Sequence, residues 1–192
     1  MKITLIRHSK TLVEPQKPIV LWGLSDEGIE KAKALSGRDV IKNIQVLYAS
    51  LQTKAIETAV YFAKPNAIPL KTNNDLTEIT SFTNQFITKE QGYEQGVDDF
   101  YHDTIERIAD GETHQEARER FNKALANIVV EEAKKGIENI GIVSHGNILS
   151  YFTAQYANIT PYELHDTIQM PDIAILDWDT KKFTTLWGES IQ

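Results

Sequence analysis

The sequence predicts an α/β protein, a three-layer α/β/α sandwich in which helices cover both faces of a mainly parallel central sheet. Short apolar runs typical of buried strands alternate along the chain with longer segments of helical periodicity. This alternation favours a parallel sheet, whose strands are joined by helices. The length of 192 residues, without an internal repeat or a Pro/Gly/Ser-rich linker, predicts a single domain over residues 1–192.

Six apolar runs define the predicted strands. Each is short and contains Ile, Val or Leu, as expected for strands that helices cover on both sides. They lie at residues 2–6, 44–48, 68–70, 139–143, 173–177 and 183–187. A turn at residues 179–180 joins the last two strands.

Local end signals mark the helices of the first half. Ser25 is suited to cap a helix that carries Asp26 and Glu27 in its first turn, where carboxylates interact favourably with the helix dipole. A second helix is predicted over residues 52–63, with Pro65 just beyond its end.

Two capping boxes mark helices of the second half. Thr113 and Glu116 form the first box and begin a long helix. The second box occupies residues 160–163, with Pro161 at the first helical position. Between these two helices, a further helix is predicted over residues 147–156.

A polar, acidic segment over residues 72–110 shows no such pattern. We expect loops and one or two helices there, forming a cap over the active site at one end of the sheet. Aromatic residues are scattered along it, namely Phe82, Phe86, Tyr93, Phe100 and Tyr101.

Composition excludes several classes of protein. The chain contains no cysteine, which excludes disulfides and thiolate metal sites and agrees with a cytoplasmic protein. No apolar run approaches the roughly 20 residues of a membrane span, and the apolar start is too short for a signal peptide. The net charge of −7 argues against nucleic-acid binding, and the sequence leaves open a homodimer.

Two histidines follow predicted strands. Arg7 and His8 come directly after the first strand, and His145 with Gly146 follows the strand that ends at Val143. Ligands of parallel sheets bind at the carboxyl ends of the strands, so we expect both histidines at one rim. Gly146 allows close backbone approach, and the following helix N-terminus attracts anions.

This pattern alone leaves three interpretations open: a phosphoryl-transfer site, a phosphate-binding pocket and a two-histidine metal site. The metal site lacks a third and a fourth ligand at recognisable spacing.

Six motifs resemble one family in order. Residues 5–11, LIRHSKT, are similar to the L-x-R-H-G-x-T signature of the histidine phosphatase superfamily, in its phosphoglycerate mutase-like branch. The other five segments that match are LSDEG at 24–28, SLQTKAIETA at 50–59, LTE at 76–78, GET at 111–113 and VSHG at 143–146. The resemblance covers about residues 2–177.

The resemblance implies a phosphoglycerate mutase-like fold and assigns roles. His8 would be the nucleophile that carries a phosphohistidine, and Arg7 would bind the phosphate. His145, with Gly146 beside it, would belong to the phosphate pocket and stabilise the transferring group. Lys54 stands where the family has a second arginine. Glu78 stands where many members have the proton donor. No metal or other cofactor is required.

Three residues depart from the family pattern. Ser9 replaces a glycine after the histidine, Lys54 replaces an arginine, and Glu14 stands where many members have an asparagine near the phosphate. Lysine keeps the charge but loses the two-pronged contact of arginine. Asp75 and Glu112 are alternative acids to Glu78.

We therefore expect a phosphatase that acts on a small phosphorylated metabolite. The alternatives are a phosphoglycerate mutase-type transfer, a non-catalytic phosphate-ligand sensor and a phosphoprotein phosphatase. The mutase is disfavoured because no long basic insertion follows Glu78.

Four other residues with functional side chains match no motif. His102, His114 and His165 are expected to have no catalytic role, and His114 and His165 are expected at the surface. Trp22 is the tryptophan best placed to touch a substrate, because it follows the loop after His8.

Overall fold

The computed structural model describes residues 1–80, 93–102, 105–107 and 110–188. It contains one mixed sheet of six strands, in the order β3-β2-β4-β1-β5-β6. The strands are β1 (Lys2–Arg7), β2 (Val46–Ala49), β3 (Leu70–Thr72), β4 (Asn139–Ser144), β5 (Asp172–Asp177) and β6 (Lys182–Thr185). The first four run parallel, while β5 is antiparallel to β1 and to β6. The predicted α/β fold with a mainly parallel sheet is confirmed.

Seven α-helices surround the sheet in the described part of the chain. They are α1 (Asp26–Ser36), α2 (Asp39–Lys42), α3 (Thr53–Asn66), α4 (Tyr93–Tyr101), α5 (His114–Ala133), α6 (Gly146–Ala154) and α7 (Pro161–Thr167). No helix within these described residues is both long and apolar enough to cross a membrane. Residues 81–92, which include the predicted cap aromatics Phe82 and Phe86, lie outside the description.

Two apolar cores lie on opposite faces of the sheet. Ile3 and Leu5 face the core that α5 and α6 cover, whereas Ile6 faces the core that α1 and α3 cover. Successive side chains of a strand point to opposite faces, so both kinds of position must be apolar. This is why the strands are continuous apolar runs rather than alternating ones.

The predicted helix caps form. The Ser25 side chain accepts a hydrogen bond from the Gly28 N–H at 3.1 Å, at the start of α1. Both predicted capping boxes are complete, at Thr113 before α5 and at Thr160 before α7. These contacts join residues only three positions apart, which is why the sequence predicts them well.

Pro65 was expected beyond the end of α3, and this expectation is wrong. The helix continues through Pro65 to Asn66. The Asn66 amide donates to the Phe62 carbonyl at 2.9 Å and to the Ser36 carbonyl of α1 at 3.1 Å. These bonds hold the last turn, and Ala67 then ends the helix in the left-handed conformation with φ of 52°.

The strands β2 and β3 each begin two residues later than predicted, and the cause is the same. The Ile44 N–H donates to the Ile41 carbonyl at 3.0 Å, so this residue still belongs to the turn after α2. The Ile68 N–H donates to the Ala63 carbonyl at 3.0 Å and closes the end of α3. In both places, a hydrogen bond holds an isoleucine, a residue type that favours strands, in the turn after the preceding helix.

Gly28 tests how tightly α1 packs on the loop after β1. A Cβ atom at this position would lie 2.0 Å from the backbone oxygen of Lys10, so backbone must move in Gly28→Ala. We expect this variant to lose about 1–3 kcal/mol of unfolding free energy in urea denaturation, the usual range for overpacking.

Gly37→Ala is the matched control at the other end of α1. Its Cβ atom would meet nothing closer than 3.7 Å, which is ordinary contact. Equal stability of the Gly28→Ala and Gly37→Ala variants would contradict the packing described for this loop.

Candidate active site

The site lies where β1 and β4 end side by side. These strands pair in parallel with Arg7 opposite Ser144, and the His8 N–H donates to the Ser144 carbonyl at 2.9 Å. His145 directly follows Ser144 at the end of β4, and its ring centroid lies 5.1 Å from the ring centroid of His8. The structure thus brings together two residues that are 137 positions apart in the sequence.

The hydrogen bond of His8 fixes which ring nitrogen is reactive. Nδ1 lies 2.8 Å from the carbonyl oxygen of Ser9, which can only accept, so Nδ1 carries the proton. Nε2 is therefore unprotonated and holds a free lone pair. Burial, with the charges of Lys54 and Arg7 acting in the same direction, lowers the pKa of His8 to about 3. A neutral imidazole is the form that attacks an electrophile.

His145 is the more deeply buried of the two histidines. Its ring has no exposed surface, and Nε2 lies 2.8 Å from the Ser50 hydroxyl. Its buried Nδ1 has no hydrogen-bond partner among the described residues. Burial keeps the pKa of His145 well below its usual range, with the neighbouring positive charges acting in the same direction. The ring is held on one side by Ser50 and keeps an unused polar atom on the other.

Two cations stand beside the histidines. Arg7 donates to the Ile168 carbonyl after α7, and a Cβ atom on Gly146 would lie 2.8–2.9 Å from its guanidinium. Gly146 therefore leaves the space that the Arg7 side chain occupies. Lys54 is only 5% exposed and donates to the Ile19 carbonyl at 3.1 Å. Burial lowers the pKa of Lys54 to about 8, although the Glu78 carboxylate opposes this shift.

Glu78 is the buried acid of the region. Its Oε1 accepts from the N–H groups of Ile79 and Ile148, both at 2.9 Å. Its Oε2 accepts from the backbone and side-chain nitrogens of Asn147 at 3.1 and 3.0 Å. The carboxyl therefore caps the N-terminus of α6. Burial raises the pKa of Glu78, against these hydrogen bonds and the Arg7 charge.

The two alternative acids occupy different settings. Asp75 is exposed. Glu112 forms an ion pair of 2.5 Å with Arg120 and also accepts from the Thr80 N–H at 3.1 Å. Arg120 further donates to the Thr77 carbonyl at 3.2 Å, so this pair holds the loop that carries Glu78.

The structure accounts for Ser9, the first departure from the family pattern. Its side chain is fully buried and donates to the Gly28 carbonyl at 2.6 Å. Its N–H donates to the Thr58 hydroxyl at 2.9 Å. Serine therefore ties the loop after His8 to both α1 and α3.

The loop that follows contains the other two residues of interest. Glu14 pairs with Lys17 at 2.6 Å on the surface. The Trp22 indole is buried and donates to the carbonyls of Glu14 and Lys17 at 2.9 and 3.0 Å. Trp22 thus holds the loop together from within.

His114 and His165 are less exposed than the sequence suggested. His114 stacks on Tyr151 with 5.2 Å between ring centroids. His165 lies 5.0 Å from the Tyr101 ring, and its buried Nδ1 has no partner among the described residues. Burial and the Arg7 charge lower the pKa of His165. His102 is exposed.

Sequence reasoning missed four residues of this region, which are Ser50, Tyr101, Asn147 and Ser150. No local pattern in the sequence predicts their hydrogen bonds, because most of these bonds join distant parts of the chain. Ser50 contacts His145 across 95 positions, and Tyr101 contacts Asn147 across 46. Only the position of Ser50 within a family motif offered a signal.

Comparison with known proteins identifies related sequences and folds. The model of the histidine phosphatase superfamily, branch 1, matches residues 3–189. No curated protein matches the sequence.

Solved structures with the same fold include three from different organisms. A mycobacterial glucosyl-3-phosphoglycerate phosphatase in complex with inorganic phosphate is 17% identical, with a TM-score of 0.79 over 99% of this chain and 98% of that one. YhfR of Bacillus stearothermophilus is 21% identical, with a TM-score of 0.78 over 98% and 97%. A phosphoserine phosphatase variant from Entamoeba histolytica, solved with phosphoserine, is 19% identical, with a TM-score of 0.70 over 96% and 95%. Identities this low show the shared fold.

The buried environment predicts that His8 stays neutral far below its usual titration range. We expect its ¹⁵N NMR signals to show the Nδ1–H tautomer with no titration between about pH 5 and 8, because its pKa is about 3. The signals of His102, an exposed imidazole, are recorded in the same spectra for comparison.

This pKa also has a consequence for stability. The unfolded chain takes up a proton on His8 below about pH 6.5 and the folded chain does not, so acid lowers the free energy of unfolding. A His8→Gln variant should therefore lose less stability than wild type between pH 6.5 and 5 in urea denaturation. Identical pH dependence of the two would contradict the neutral form.

Proposed function

Because this chain belongs to the histidine phosphatase superfamily, branch 1, we propose that it is a phosphatase that hydrolyses a small phosphomonoester through a phosphohistidine on His8. The observation that carries the proposal is the state of His8. Its Nδ1 proton is held by the Ser9 carbonyl, so Nε2 has a free lone pair beside His145 and two cations.

The first half of the reaction forms the phosphohistidine. The Nε2 lone pair of His8 bonds to phosphorus, and the bond from phosphorus to the ester oxygen breaks. The electron pair of that bond stays on the leaving oxygen, which takes the proton of Glu78. In the second half, water bonds to phosphorus and gives a proton to Glu78, while the electron pair of the P–N bond returns to His8.

Charge around the phosphoryl group supports this reaction. The transferring group spreads negative charge over its outer oxygens, and fixed cations and N–H donors stabilise that charge. Arg7 and Lys54 supply positive charge. The Nδ1 of His145, which has no partner among the described residues, supplies a further polar contact once it is protonated, and a bound dianion would favour that protonation.

A small metabolite is the proposed substrate class. The net charge of −7 disfavours polyanionic partners, while the cations at the site act locally because the Debye length is only about 8 Å at physiological salt. The proposed reaction uses no metal. Within residues 1–80, 93–102, 105–107 and 110–188, no group of three or more histidine or carboxylate side chains is placed to hold a metal ion.

Release of phosphate from a generic aryl phosphate tests the proposal. We expect wild type to release phosphate in the presence of EDTA, and His8→Ala to be slower by on the order of a thousandfold or more, because it lacks the nucleophile. His102→Ala, which removes an exposed imidazole, is the matched control and should keep wild-type activity.

Three results would contradict parts of the proposal. Full activity of His8→Ala would exclude the phosphohistidine, and loss of wild-type activity in EDTA would exclude the metal-free reaction. Isomerisation of phosphoglycerate without free phosphate would favour the mutase.

Gly146→Ala tests the position of Arg7. The new methyl group would lie 2.8–2.9 Å from the guanidinium, which must move, while alanine suits a helix better than glycine. We expect the melting temperature to change little and the affinity for inorganic phosphate to fall about 10–100-fold, the effect of losing a charge-assisted contact. Gly96→Ala is the control, since no atom of the described residues lies within 4 Å of its added Cβ atom. Unchanged phosphate affinity by calorimetry would show that Arg7 does not bind phosphate.

A further inference from the structure

A hydrogen-bond network of buried side chains adjoins the Glu78 carboxyl. The Asn147 side chain donates from Nδ2 to Glu78 Oε2 at 3.0 Å and accepts on Oδ1 from the Tyr101 hydroxyl at 2.8 Å. The Tyr101 oxygen also lies 3.0 Å from the Ser150 hydroxyl, which donates to the Asn147 carbonyl at 2.7 Å. All four side chains are buried, with at most 8% of their surface exposed.

Counting protons shows that one contact of this network is unused when Glu78 is ionised. Tyr101 has one hydroxyl proton, which goes to Asn147 Oδ1, and Ser150 has one, which goes to the Asn147 carbonyl. The contact of 3.0 Å between the Tyr101 and Ser150 oxygens then has no proton of its own.

The same atomic positions suit a second arrangement in which Glu78 is protonated. If the Asn147 amide turns by half a rotation, the Glu78 O–H donates to Oδ1 and Nδ2 donates to the Tyr101 oxygen. The Tyr101 O–H then donates to Ser150, and Ser150 still donates to the Asn147 carbonyl. Every contact now has one donor and one acceptor, including the one that was unused.

We propose that Asn147, Tyr101 and Ser150 form a switch that keeps Glu78 hydrogen-bonded in both its acid and its carboxylate form. Asn147 is then a positioning residue for the proton donor. This inference rests on the proposed function, in which Glu78 loses a proton to the leaving oxygen and regains one from water. In a buried site, a protonation state without a partner is strongly disfavoured, so both states need hydrogen bonds.

Other groups near Glu78 favour only the carboxylate. They are Arg7 at the end of β1, Lys54 on α3, and Arg120 on α5, whose Nη2 donates to the Glu78 carbonyl at 3.4 Å. The backbone N–H donors of α6 act in the same direction. Burial opposes them and raises the pKa of Glu78. Unlike these groups, the Asn147 side-chain amide can hydrogen-bond to the acid form of Glu78 as well as to the carboxylate.

The Ser150→Ala variant distinguishes the proposed switch from an Asn147 side-chain amide that keeps one orientation in both protonation states of Glu78. The Ser150 hydroxyl accepts from Tyr101 only in the arrangement with protonated Glu78, so its loss disfavours the acid form. We expect the pKa of Glu78 to fall by about one unit, a tenfold change in its protonation equilibrium. If the amide always donates to the carboxylate, Tyr101 keeps donating to Oδ1 and Ser150→Ala leaves this pKa unchanged.

The Tyr101→Phe variant gives a second test, because the switch and a fixed Asn147 amide predict shifts of opposite sign in the pKa of Glu78. In the switch, the acid form loses the acceptor for an N–H donor, whereas the carboxylate form loses only a donor to a carbonyl, which is less costly. The pKa of Glu78 then falls. With a fixed amide, loss of the Tyr101 hydroxyl loosens the donor to the carboxylate, and the pKa rises. Tyr151→Phe is the matched control, since its ring stacks on Tyr101 at 5.1 Å but its hydroxyl lies outside the network.

The measurement is a ¹³C NMR titration of the Glu78 carboxyl in the full chain, with the signal assigned through Glu78→Gln. A downward shift in both Ser150→Ala and Tyr101→Phe, with none in Tyr151→Phe, supports the switch. No shift in Ser150→Ala, or an upward shift in Tyr101→Phe, overturns it.

The pH dependence of kcat/KM on the aryl phosphate is recorded for the same variants. Its alkaline limb should move with the titration. An inactive wild type would overturn the proposed function, while the titration still decides how the network behaves. A limb that stays in place despite a shifted titration would overturn the role of Glu78 as proton donor.

Discussion

The parallel pairing of β1 with β4 is the constraint on which the site depends. It sets Arg7 opposite Ser144, and the bond from the His8 N–H to the Ser144 carbonyl extends the pairing one residue beyond the strand. A register shift by one residue would turn every side chain of β1 to the other face. Because each face has its own apolar core, such a shift would move Ile3 and Leu5 into the core that fits Ile6, and Ile6 into the core that fits Ile3 and Leu5. The packing of the two cores therefore holds the two histidines in place.

Burial next to fixed cations gives the site its chemical character. Two buried imidazoles beside Arg7 and Lys54 stay neutral, because a further positive charge would be poorly solvated and repelled. The same cations attract an anion. A bound phosphate would supply a compensating negative charge and would raise the pKa of His145. The acidic surface of the protein acts only weakly at this distance.

The departures from the family pattern find physical explanations of different kinds. Ser9 adds a buried hydrogen bond to Gly28 that a glycine cannot make, so it stabilises the loop after His8. Lys54 keeps a buried positive charge, with a pKa of about 8 that an arginine would not share. Glu14 is paired with Lys17, which offsets its charge near the surface.

Local patterns in the sequence determined the α/β class, the positions of the strands to within two residues, and the caps at Ser25, Thr113 and Thr160. They also predicted that His8 and His145 would share a rim, since strand ends in a parallel sheet lie together. Tertiary structure decided the rest. Asn66 carried α3 through Pro65 by bonding to α1, and Glu78 took hydrogen-bond partners from α6. Such contacts join residues far apart in the chain, and their geometry exists only after the two apolar cores have packed.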